Sequence, residues 1–138
     1  EATEPSDLLA EAFARLLPQL SERMTAPDRE AVARIVASPA TRQLVAAAED
    51  GRIVGLLSVA LYDVPSGRKA WIEDVVVDAA TRGRGIGEAL VREALALARR
   101  EGVARVMLTS NATRRASHRL YERMGFVRYE TDCFRLDL

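Results

Sequence analysis

Trp71-Ile72-Glu73-Asp74-Val75-Val76-Val77-Asp78 runs through Ala79-Ala80-Thr81 into Arg82-Gly83-Arg84-Gly85-Ile86-Gly87, and then into Glu88 to Leu97. The first block is apolar and β-branched, which predicts a strand buried on at least one face. The hexad carries glycines at alternate positions. The last block puts Ile86, Leu90, Ala94, Leu97 and Ala98 on one helical stripe. The order is therefore strand, glycine-rich turn, helix. Glycine lets a backbone come close to a ligand and expose its amides. The helix start adds N–H groups without intrahelical partners and the positive end of a dipole. Together they predict a diphosphate cradle.

Two common phosphate signatures do not fit. The spacing of Gly83, Gly85 and Gly87 is wrong for G-x-G-x-x-G, and no Lys follows for a P-loop. Glycines alone would equally suit an ordinary strand-to-helix turn. The hexad does match R/Q-x-x-G-x-G/A, as Arg82, Gly85 and Gly87. Here the sequence resembles the GNAT superfamily of acetyl-coenzyme A-dependent N-acetyltransferases, whose coenzyme A pyrophosphate loop this hexad is similar to. A second similarity lies in Tyr121-Glu122-Arg123-Met124-Gly125-Phe126, which resembles the family's Tyr-Glu-x-x-Gly-Phe motif. The resemblance runs from about Val45 to Leu136. It implies an α/β (α+β) fold: a central, twisted, mostly antiparallel mixed sheet with helices on both faces. The first strand is largely missing, represented only by Glu1-Ala2-Thr3.

A length of 138 residues reads as a single domain, 1–138, large enough to bury roughly two thirds of its unfolded surface. Hydrophobic residues make up 49% and charged residues 29%, which excludes a disordered or fibrous chain. No apolar run of membrane-spanning length and no signal-peptide pattern is present, so the expectation is a cytoplasmic protein without a membrane partner. One cysteine and one histidine argue against a metal site. Arg82 to Arg128 holds eleven Arg and four acids, a local charge of +7. Without interleaved aromatics for base stacking, a nucleic-acid partner is not expected. Of the twenty basic residues only Lys69 is Lys. With the many alanines, this suggests a GC-rich, bacterial genome.

Around the central stretch, Ser6-Asp7 can cap a helix bearing Leu9, Phe13, Leu16, Leu17 and Leu20, with Pro18 bending or ending it. Thr25-Ala26-Pro27-Asp28 starts a second helix with Val32, Ile35 and Val36 inward. Gln43–Ala48 and Arg52–Tyr62 read as a hairpin, and Asp63–Lys69 as a loop beside the acceptor mouth. Val103–Thr109 is the next strand. Asn111 or Thr113 caps a helix reaching Met124, and Phe126–Tyr129 and Thr131–Leu136 are closing strands. Strand alternation puts Ile72, Asp74 and Val76 on one face and Glu73, Val75 and Val77 on the other.

The residues for chemistry follow from the resemblance. Tyr121 is the expected acid, donating a proton to the departing thiolate; a phenol near 10 is a competent donor to a thiolate near 8.5. A core tyrosine is the alternative. Glu73, in an Ile-Glu-Asp phrase shared with some amino-sugar acetyltransferases, is the expected base, directly or through water. Ammonium binding or an ion pair are its alternatives, and Asp74 is its substitute. Val75, Val76 and Val77 offer backbone groups to the pantetheine arm. Arg82, Gly83, Arg84, Gly85, Ile86 and Gly87 hold the pyrophosphate. Asn111 and Arg114 depart from the family pattern, which places Asn where Arg114 stands. Arg114 could pair with a coenzyme A phosphate, and Asn111 could cap the helix instead of touching the cofactor. His118 is read as structural and Cys133 as core. The expected reaction is transfer of acetyl from acetyl-CoA, without a metal, to a small-molecule or peptide primary amine. A non-catalytic coenzyme A-binding sensor or regulator is the alternative. The implied family pattern also admits a homodimer.

Overall fold

The computed structural model describes the whole chain, Glu1–Leu138. Helices α1 (Asp7–Leu20) and α2 (Arg29–Ala37) precede β1 (Thr41–Ala47), β2 (Ile53–Val64) and β3 (Gly67–Val77); then come α3 (Ile86–Arg100), β4 (Val106–Leu108) and α4 (Arg115–Arg123). The sheet order is β1-β2-β3-β4. Its first two pairings are antiparallel and β3–β4 is parallel. This is the mixed sheet that the sequence predicts. Near the first residues, Ala2 forms one isolated antiparallel bridge with Gln43.

Two apolar layers clamp the sheet. On one face Leu90, Val91, Ala94, Leu97 and Ala98 of α3 pack with Leu57, Val59 and Ile72. On the other, Leu9, Phe13, Leu16 and Leu17 of α1 and Val32 of α2 cover Leu56 and Val76. Each fully buried Leu or Val contributes about 1.5–3 kcal/mol, so α3 is fixed by its stripe and not by helix propensity. Gly55 makes this packing close. A Cβ there would lie 2.9 Å from Leu90 Cδ1 and 3.1 Å from Ile86 Cγ2. Ser6 caps α1 as the sequence predicts, its Oγ accepting from Leu9 N, and at α2 the cap is Asp28, whose Oδ1 accepts from Ala31 N. Pro18 lies within the last turn of α1, which ends two residues later at Leu20.

Five expectations need correction. Asp63–Lys69 is no loop: the β2–β3 ladder runs to Val64↔Gly67, so the turn is Pro65-Ser66. Gly67, at φ +104°, supplies the conformation such a tight turn needs. The helix after β4 is capped by neither Asn111 nor Thr113, because Asn111 Oδ1 is already taken by Thr113 N and Oγ1 at 2.9 and 2.8 Å. The helix starts one residue after Arg114. The closing strands do not form. β4 is only three residues long, so the tail has almost no edge to pair with, and Val127, Tyr129, Phe134 and Leu136 stay exposed. Cys133, in that tail, is exposed and not core.

The fifth correction bears on function. Leu56 pairs with Val76 but Ser58 pairs with Glu73, so Leu57 alone stands opposite Asp74 and Val75. That is a β-bulge, and Asp74 takes φ +50°, the one non-glycine residue with positive φ. The bulge breaks the alternation assumed from sequence. Ile72, Val75 and Val77 face the α3 layer, while Val76 faces α1.

Candidate active site

After the bulge, β3 loses its neighbour. β4 pairs with it only at Ala70↔Val106, Trp71↔Met107 and Ile72↔Leu108. From Glu73 to Val77 the β4-facing edge of the backbone has no strand partner, only Arg82 Nε donating to the Val77 carbonyl at 3.4 Å, so an extended ligand arm can pair along it as an added strand would. Val75, Val76 and Val77 lie along this edge, as expected, while their side chains serve the core.

β3 then feeds a short 3-10 turn, Ala79–Thr81, whose conformation is set by Asp78. The Asp78 carboxylate accepts from Ala80 N at 3.1 Å and from the Arg15 guanidinium, with Arg52 at 3.9 Å. Gln19 accepts from Ala79 N at 2.8 Å. The Ala80 amide first, and then Arg15, Gln19 and Arg52, hold the Asp78 carboxyl below its usual range against the cost of burial. Helix α1 thus grips the root of the glycine loop. This clamp was missed in the sequence, although an Asp directly after a strand is a recognisable turn signal.

The loop has the geometry an anion needs. Gly83 and Gly85 take φ +79° and +75°, in the left-handed region that favours glycine. Neither they nor Arg84 donate to a backbone carbonyl. Gly85 caps α3 without any side-chain bond, so the first amides of α3, from Ile86 on, point out uncapped. Glu88, the acid that follows the loop in sequence, is bound by Arg92 at 2.6 Å. Arg82 and Arg84 are exposed and have no carboxylate partner. A diphosphate fits this donor set. Gly87 serves otherwise: a Cβ there would sit 3.3 Å from Leu120 Cδ2, so it permits close contact between α3 and α4.

Where β3 and β4 part, a cleft of about 260 Å³ opens, walled by Leu20, Ser21 and Met24 on the α1 side, by Ile72–Val75, by Leu108–Asn111, and by Arg114, Ser117 and Tyr121. Six residues proposed from the sequence meet there: Glu73, Asp74, Val75, Asn111, Arg114 and Tyr121. The Arg114 guanidinium donates to the Leu20 carbonyl, closing α4 on α1. It therefore lies in the cleft wall. His118 does not line the cleft. Tyr121 is nine-tenths buried and meets Phe126 edge to face, with ring centroids 5.8 Å apart. Burial pushes its phenol pKa up, with Arg114 opposing. Partial burial raises the Glu73 pKa, and the neighbouring Asp74 charge raises it further. Burial alone raises that of Asp74.

Residues 7–126 match the family model described as Acetyltransferase (GNAT) family. The chain belongs to the acetyltransferase (GNAT) family. Among solved structures, this GNAT chain resembles a putative acetyltransferase from Agrobacterium tumefaciens str. C58, with a TM-score of 0.82, 30% identity, and 100% and 98% of the two chains covered. It is 35% identical to glucosamine 6-phosphate N-acetyltransferase 1 of Oryza sativa subsp. japonica, over 86% of this chain and 75% of that protein. It is also 40% identical to glucosamine 6-phosphate N-acetyltransferase of Trypanosoma brucei brucei, over 64% of this chain and 59% of that protein. The match thus spans about three fifths of the trypanosomal relative. No helix of this GNAT domain is long and apolar enough to cross a membrane.

Proposed function

We propose that this protein transfers an acetyl group from acetyl-CoA to a primary amine by direct attack within a ternary complex. The observation that carries this reading is the convergence of an open β3 edge, a glycine loop with free amides, and a cleft that holds both Glu73 and Tyr121. Members of the family use acetyl-CoA as co-substrate, and the rice and trypanosomal relatives are named as N-acetyltransferases. A binding-only module would need the loop but neither of the two titratable groups.

In this reading Gly83–Gly87 hold the pyrophosphate through main-chain N–H groups, with Arg82 and Arg84 beside it. Acetyl-CoA supplies the activated acyl group as a thioester. The β3 amides at Val75–Val77 align the acyl arm and donate to its carbonyl oxygen as charge develops there. Glu73, with its pKa raised, takes a proton from the acceptor ammonium directly or through water, freeing the nitrogen lone pair. As the nitrogen bonds to the acyl carbon and the carbon–sulfur bond breaks, Tyr121 gives its hydroxyl proton to the leaving sulfur. The nitrogen releases its second proton to water as the neutral amide forms, and the phenolate is reprotonated from solvent. Positioning and electrostatics supply the catalysis.

The test is a panel of primary amines incubated with acetyl-CoA and scored by release of free thiol. Amine-dependent release is expected. Tight acetyl-CoA binding with no release for any amine would return the protein to the sensor class.

A further inference from the structure

We propose that Gln43 and Ser58 are positioning residues for Glu73: Gln43 locks the Ser58 hydroxyl as an acceptor, so that it bonds the Glu73 side chain when protonated and offers nothing to the carboxylate. The use made of this row rests on the acetyl-transfer reading above; the row itself does not.

Three strands carry it. Gln43 of β1 pairs with Ser58 of β2, and Ser58 pairs with Glu73 of β3. Cross-strand partners share a face, with Cβ atoms about 4.5–5.5 Å apart. Their chain neighbours Leu44, Val59 and Ile72 all pack in the α3 layer. Alternation therefore puts the three polar side chains on the α1 face. The register shift comes only beyond the Ser58–Glu73 pair. Leu20, Ser21 and Met24 wall the cleft on that same side.

A glutamine only 2% exposed has to satisfy its amide within the protein. Gln43 Nε2 donates to the carbonyls of Leu44 and Leu57, at 3.1 and 3.2 Å. Carbonyls only accept, so this end of the amide must be the nitrogen. Oε1 then faces Ser58 and accepts from its Oγ at 2.8 Å. A serine hydroxyl has one proton, and here Gln43 holds it. Towards β3, Ser58 presents lone pairs alone.

The side chain opposite is Glu73. Nothing in the protein donates to its carboxyl; burial and the Asp74 charge are what act on it. An ionised carboxylate only accepts, so it cannot bond a hydroxyl that only accepts, whereas a protonated carboxyl can. A hydrogen bond made by the neutral form alone favours that form. The row thus strengthens the hold of Glu73 on a proton, as a base that strips an ammonium requires. The other titratable or charged groups lining the cleft with Glu73 are Asp74 on its own strand and Arg114 and Tyr121 from the α4 side; the α1 and β4 walls add none. Asp74 acts with the row, and the Arg114 charge acts against it.

The experiment titrates the Glu73 side-chain carboxyl by carbon NMR, without substrate, in the parent, Ser58→Ala, Gln43→Met and the double variant. Both single variants should lower the midpoint. Gln43→Met should lower it further, because the freed hydroxyl can turn its proton to the carboxylate. In the Ser58→Ala background, Gln43→Met should change nothing. The acid limb of kcat/KM for an accepted amine should follow the midpoint. Below that limb, kcat/KM in Gln43→Met should rise about two- to tenfold, as for one hydrogen bond. A Ser58→Ala midpoint equal to the parent's overturns the proposal, and this milder variant decides alone should Gln43→Met fail to fold. A Gln43→Met shift of the same size with and without Ser58 also overturns it, since that is what a purely structural glutamine would give. Midpoints that move as expected in a protein that releases no thiol with any amine would uphold the row and remove the transfer reaction.

Discussion

The Arg15 guanidinium donates to the Asp78 carboxylate, and through it α1 holds the turn that feeds the glycine loop. A second Arg15 nitrogen donates to the Ile53 carbonyl, so one side chain ties helix, sheet and loop together. Arg15→Ala should therefore cost about 1.5–3 kcal/mol of stability, as for hydrogen bonds to charged groups. It should also weaken coenzyme A binding several-fold without abolishing it. Urea unfolding and calorimetry check the two effects, and unchanged affinity would separate the clamp from the loop.

The same contact carries a pH dependence. The folded-state pKa of Asp78 lies below its unfolded value, near 3.9. Its stabilisation is therefore present above about pH 4 and is lost as pH falls through the folded value. Asp78→Asn should be less stable at neutral pH, with the difference from the parent shrinking on acidification. A constant difference down to pH 2 would contradict the assignment.

Much of the site was legible because glycines and caps act locally. Gly83 and Gly85 adopt the positive φ that their type favours, and α3 begins at Ile86, within the hexad. Tyr121 and Glu73 share a cleft despite lying 48 residues apart, as the family resemblance implied. What could not be read were the effects of partners. The bulge at Asp74 is a property of its register with Leu57, and no local residue pattern announces it. Gly55 appears in sequence as one small residue in an apolar strand; only the approach of Leu90 and Ile86 explains it. The tail pattern of Val127 and Tyr129 suits a strand, but a strand exists only where an edge is available.

Gly55→Val tests that approach. The added side chain would press on Leu90 and Ile86, and overpacking of this kind costs about 1–3 kcal/mol. Because α3 begins at the loop, coenzyme A affinity should fall along with stability. Urea denaturation and calorimetry report both; a variant as stable as the parent would show that α3 can retreat freely.

In the proposed mechanism the acid limb of the pH–rate profile belongs to Glu73. Partial burial and the Asp74 charge both raise its pKa, which places the limb above the ordinary carboxylate range. Glu73→Gln should remove the limb. Asp74→Asn deletes the one neighbouring charge that raises it and should move the limb to lower pH. A limb unchanged in both variants would assign the base elsewhere.

Tyr121→Phe retains the ring contact with Phe126 but loses the proton. Turnover should drop about 100-fold with coenzyme A affinity nearly intact. Unaltered turnover in stopped thiol-release assays would make Tyr121 a packing residue only.

The central claim is that main-chain amides of the glycine loop grip the diphosphate of the acyl carrier. An amide-resolved NMR titration with coenzyme A measures this at the atoms concerned. The account predicts large, saturable shifts at Gly83, Arg84, Gly85 and Ile86, and little change at Gly51 and Gly102, which share the left-handed backbone but lie in other turns. Saturable binding that leaves the loop amides unmoved would contradict it.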